Sequence, residues 1–128
     1  MTKTLIAVMC LMACVAVAQN AQPPHVAPVD TKNHIGETAT VCGKVVDATI
    51  SKYGIGGRGK PVTFDIDQPQ PNQVFYFVAF GTQAGGPDEA VSAYQGKHVC
   101  VTGKISSAAS GPYILAADRS QIKTDAAK

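Results

Sequence analysis

The 128-residue chain carries little net charge: 11 Lys and Arg stand against 9 Asp and Glu. That balance speaks against a broad, sequence-blind nucleic-acid surface, so any recognition must be local. No apolar run approaches the about 20 residues that a membrane-spanning helix needs. The longest, Leu5 to Ala18, is too short. His25, His34 and His98 share no metal-ligand spacing with one another or with a carboxylate, so no metal or other cofactor is expected. No serine stands in a nucleophile elbow with a base to serve it. Gly54 to Lys60 spells G-x-x-x-x-G-K, but Pro61 and a strand follow. A phosphate loop needs Ser or Thr and a helix there. Asp65 and Asp67 share one strand face, which reads as solvated rather than as an acid–base pair. These absences leave a binding module rather than an enzyme.

What is present begins with an export signature. Lys3 precedes the run Leu5 to Ala18, which ends Ala16-Val17-Ala18 before polar Gln19. That pattern predicts a secretory signal peptide over residues 1–18. Leu11-Met12-Ala13-Cys14 offers the alternative of a lipoprotein box, with Cys14 lipidated. Either way the location expected is periplasmic or secreted. Cleavage after Ala18 removes Cys10 and Cys14 and leaves Cys42 and Cys100. Two cysteines in an oxidising compartment usually pair. Residues 19–34 are polar and contain prolines, which predicts a flexible leader. The folded domain is expected over residues 35–122, with a frayed polar tail at 123–128.

Strict alternation marks the strands. From Glu37 to Thr49, Ala39, Val41, Gly43 and Val45 fall on one face and Cys42 on the other, with Gly43 suggesting a bulge. Ile50 to Lys60 is a glycine-rich loop. Pro61 to Asp67 turns Val62, Phe64 and Ile66 inward and Asp65 outward. Gln68 to Asn72 is a turn, and Gln73 to Phe80 is the most apolar strand. Pro87, Asp88 and Glu89 open a short helix through Tyr94, with Gly96 as its cap. His98 to Ile105 and Pro112 to Ala117 complete the set, joined by the small-residue loop Ser106 to Gly111.

Three strands, one short helix and two strands is the element order of a five-stranded OB-fold Greek-key barrel, all-β apart from its helix. In that topology the first and fourth strands pair. Cys42 and Cys100 then sit on corresponding faces, and a cross-strand disulfide follows.

The runs Ala39 to Val45, Gly59 to Pro61 with Phe64, Pro71 to Phe75 and Tyr94 to Ile105 resemble a family of exported bacterial OB-fold proteins described as nucleic-acid-binding-like. The resemblance spans about Ile35 to Ile122. It implies the barrel, and a nucleic-acid ligand as its expected partner. Similar domains also accompany secreted nucleases, although no nuclease segment is present in this chain. The loop Ser106 to Gly111 departs from the pattern in having no aromatic or basic residue.

The residues expected to bind are few. Lys52, Arg58 and Lys60 lie in the first loop with Tyr53 among them and no acid. A basic loop with one aromatic can clamp a phosphodiester backbone and stack a base; a merely solvated loop is the plainer alternative. Tyr76, with Val78 and Phe80, is a stacking platform or part of the core, and Tyr113 is a second stacking candidate. The function expected is recognition of single-stranded nucleic acid or another extended anionic polymer. An envelope protein-interaction module and an oligosaccharide binder are the alternatives.

Overall fold

The computed structural model describes residues 22–54, 59–80 and 86–124. The expected signal peptide, Cys14, Arg58 and residues 125–128 lie outside them.

Six strands form: β1 Thr38–Ile50, β2 Pro61–Ile66, β3 Phe75–Phe80, β4 His98–Ala108, β5 Gly111–Ala116 and β6 Ile122–Thr124. One helix, α1 Pro87–Tyr94, lies between β3 and β4. The strands follow the order β1-β2-β3-β5-β4, and β1 pairs back onto β4. All five of those strands therefore join in a closed ring, antiparallel except where β3 meets β5. A closed ring in that order, with a helix between its third and fourth strands, is the OB-fold.

Strand β1 is long because it serves two partners. Thr38 to Lys44 pair with β4, and Val45 to Ile50 pair with β2. The register shifts between Val45 and Asp47, so the irregularity foreseen at Gly43 lies a few residues later. Gly43 has a different reason to be glycine. A Cβ there would lie 2.3 Å from Ile66 Cγ2 and 3.0 Å from Asp67 Oδ1. The two halves of the ring touch across that gap.

Val62, Phe64 and Ile66, read as inward from alternation, are buried together with Val41 and Val45 of β1. Phe77, Val99, Val101, Ile105 and Ile114 complete the core. Phe64 and Phe77 stack with centroids 4.7 Å apart, and Tyr94 of α1 meets Phe64 edge-on at 5.5 Å. Aromatic contacts of this geometry add to area burial, and they seat the helix over one end of the ring. Pro87 begins α1, and Asp88 and Glu89 stand in its first turn. Gly96, at φ 77°, ends it in the left-handed conformation.

Both expected termini of the domain move. The leader is not loose where it is described. Val26 N–H donates to Thr40 O at 2.9 Å, and Thr40 N–H donates to Pro24 O at 2.8 Å. Val26 joins the core, and a 3-10 helix at Pro28–Asn33 buries Thr31 completely. The backbone of β1 has a free edge there, and the leader satisfies it. At the other end, a 3-10 turn at Arg119–Gln121, boxed by Asp118 and Gln121, feeds β6. Lys123 and Thr124, expected to fray, pair with β4 at Cys100 and Val99.

Cys42 and Cys100 stand directly opposite in the β1–β4 ladder and are joined by a disulfide, with Cα atoms 4.0 Å apart. The bond fits an oxidising compartment. Among the described residues, no helix is long and apolar enough to cross a membrane.

Candidate functional site

The outward face of β1, β2, β3, β5 and β4 is built in rows by strand register. Asp47, Asp65, Tyr76, Tyr113 and Ser106 stand side by side in the first row. Thr49, Thr63, Val78 and Leu115 make the second. Phe80 and Pro61 pair beyond them. Thr63, Tyr76, Val78, Phe80, Tyr113 and Leu115 of these rows floor an open groove of about 600 Å³. Ser51 and Pro61 at the ends of the first loop close one side, and Ala108 and Ser110 of the β4–β5 turn close the other. The strand-two and strand-three face, gripped by those two loops, is where OB-folds hold polymers.

Tyr76 is a nearly covered part of the floor. Only 7% of it is accessible. Its ring stacks on that of Tyr113 at 5.3 Å, and its hydroxyl shares a 2.8 Å hydrogen bond with Ser110 Oγ. The reading of Tyr76 as an open platform is thus corrected: it backs Tyr113, which is half-buried and lines the groove. Phe80 is buried, whereas Leu115 is exposed. The parallel pairing of β3 with β5 brings the two tyrosines together.

The first loop stands at the rim. Ser51 Oγ donates to Tyr53 O at 3.2 Å and accepts from Tyr53 N–H at 3.3 Å, so the loop leaves β1 in a fixed turn. Lys52, Tyr53 and Lys60 are exposed, Tyr53 by 79%. None of the three lines the groove; each is one or two residues from Ser51 or Pro61, which do. Arg58 belongs to the same loop and lies outside the described residues.

Among the described residues the groove lining is uncharged: hydroxyls, one amide, rings and aliphatic carbons. The nearest acid is hidden beside it. Asp65, expected to be solvated, is fully buried, and neither carboxylate oxygen has a partner in hydrogen-bonding geometry. Burial pushes its carboxyl above the ordinary 3.8, the nearby Asp47 adds to this, and Gln70 pulls the other way. Gln70 also lines the groove. Gln70, Ser110 and Leu115 were not foreseen. Leu115 was legible, since it follows Tyr113 on the outward phase of β5. Gln70 and Ser110 carry no local signal, because folding alone brings their turns to the groove.

Among the described residues, no group of three or more His, Cys, Asp or Glu is placed to hold a metal ion. No family model matches the chain, and no curated protein matches it significantly. Among solved structures, the chain is similar to one described as a "putative aspartyl-tRNA synthetase from Leishmania major Friedlin". The identity is 13%, the match covers 86% of this chain and 22% of that one, and the TM-score is 0.48.

Proposed function

We propose that this chain is an exported OB-fold module, of the family its motifs resemble, that binds single-stranded nucleic acid or a similar extended anionic polymer. It is read as a binder, with no catalytic step of its own. The observation that carries the reading is the groove: an aromatic and hydroxyl-lined floor about Tyr113, with the basic first loop at its rim. Bases stack on Tyr113 and slide against Leu115 and Val78, while Lys52, Arg58 and Lys60 meet the phosphates. Stacking of this kind tolerates any base. The disulfide suits the periplasmic or secreted location that the N-terminal signature predicts.

Titration of labelled oligonucleotides against salt tests this. Three phosphate contacts give a slope of about −2 in log K against log salt, at roughly −0.7 per contact for single strands. Alanine at Lys52, Arg58 and Lys60 together flattens that slope. No binding at low salt overturns the reading. The uncharged lining favours a second reading, an oligosaccharide laid on the tyrosine pair. Salt-insensitive binding on a glycan array, lost with Tyr113, supports it instead.

A further inference from the structure

A second cleft lies on the other part of the ring, beside the disulfide. It holds about 280 Å³ and is lined by Cys100, Thr40, Thr102, His25 and Lys123, among others. Cys100 is among the residues that line it, and Cys42 is not. His25, itself part of the cleft wall, has Nδ1 3.8 Å from Cys42 Sγ. His25 is held there by the backbone bonds of its neighbours Pro24 and Val26 to Thr40. Lys123 is placed by β6 directly opposite Cys100. Both cysteines are half-buried, the cleft beside Cys100 has a cation at its wall, and the Cys42 sulfur has an imidazole nitrogen beside it.

We propose that Cys42–Cys100 is a thiol–disulfide exchange site for low-molecular-weight thiols that carry carboxylates, with Cys100 as the attacked sulfur and His25 supporting Cys42 as it leaves. The incoming thiolate, drawn by Lys123, attacks Cys100 Sγ. A new S–S bond forms between that thiol and Cys100 as the Cys42–Cys100 bond breaks. The electron pair leaves on Cys42 Sγ as a thiolate, which accepts a hydrogen bond from His25. One disulfide is exchanged for another, so no external oxidant is consumed. A second thiolate of the same class then releases Cys100, leaving two protein thiols and one small-molecule disulfide. Exchange is faster when the leaving thiolate is stabilised and when the attacked sulfur is accessible. The ladder from Thr38–Lys104 to Lys44–His98 remains to hold β1 on β4 afterwards.

The test treats the oxidised full chain with glutathione, quenches with an alkylating agent, and maps adducts by peptide mass spectrometry. Mapping reads Cys10 and Cys14 separately. The expected result is glutathione on Cys100 and alkyl label on Cys42, with the circular dichroism of the folded chain retained. His25→Ala slows exchange about three- to tenfold, following the dependence on the leaving thiol, with an unchanged thermal melt. Lys123→Ala slows exchange with glutathione but not with neutral 2-mercaptoethanol. Glutathione on Cys42, exchange only in denaturant, or an unchanged rate in His25→Ala would each overturn the proposal.

Discussion

The half of the ring where β1 meets β4 and β6 is tied in several ways: a seven-position ladder, a disulfide, a third strand and a docked leader. The half made by β2, β3 and β5 is held by strand pairing, the shared core and the ring contacts of Tyr94 from α1. Its outer face instead carries paired tyrosines, an exposed leucine and a buried carboxylate. The covalent and terminal ties are concentrated away from the groove, while costly features are concentrated beside it. Such a division is expected where a scaffold positions a recognition surface.

The sharpest way to break this contrast is to untie the first half. The bond joins positions 58 residues apart, and a loop of that length gives about 4 kcal/mol in the chain-entropy model. Replacing Cys42 and Cys100 by alanine should therefore cost about 2–4 kcal/mol in chemical denaturation. Ligand affinity of the folded fraction should hold. If affinity falls in step with stability, the two halves are not separable.

A smaller effect is expected at the seam. Gly43→Ala drives a Cβ into Ile66 and toward Asp67 of the neighbouring half. Overpacking of this kind typically costs about 1–3 kcal/mol. Urea midpoints measure it, and an unchanged midpoint would mean that β2 moves freely against β1.

On the groove side, Tyr113→Ala should weaken binding by about 1–3 kcal/mol, the usual worth of one stacked base. The same substitution should leave the melting temperature nearly unchanged, because Tyr113 is only half-buried. A large fall in melting temperature with no loss of binding would make the tyrosine pair structural.

The two halves also differ in how far they can be read from the chain itself. Alternation exposed the ladder, the core faces and the cysteine pairing, because each depends on local period and a single register. The groove is harder. Tyr76 and Tyr113 meet only through the parallel pairing of β3 with β5, and Ser110 reaches Tyr76 from a turn 34 residues away. The docking of the leader is hidden from the sequence for a related reason. Its hold on Thr40 is mostly backbone, and backbone bonds leave no mark on residue type. Asp65 obeyed its strand phase and faced outward as foreseen. Phase says nothing about what covers a face.

That covered carboxylate supplies the smallest predicted effect. Burial and Asp47 raise the Asp65 pKa above 3.8 in the folded chain, so the folded state binds its proton more readily than the unfolded state does. Its contribution is most favourable below pH 3.8 and is progressively lost as pH rises through the folded value. Above that value it burdens the fold, as a buried charge beside Asp47 that the Gln70 contact offsets only in part. Asp65→Asn removes the charge at nearly constant shape. It should stabilise the protein at neutral pH, by on the order of 1 kcal/mol. The advantage should shrink as the solution is acidified and the native aspartate gains its proton. Parallel urea titrations of both proteins across that range measure the gap. A gap that widens toward acid, or an asparagine variant less stable at pH 7, would mean that the Gln70 contact outweighs burial. The groove side would then hold its acid as firmly as the other side holds its disulfide.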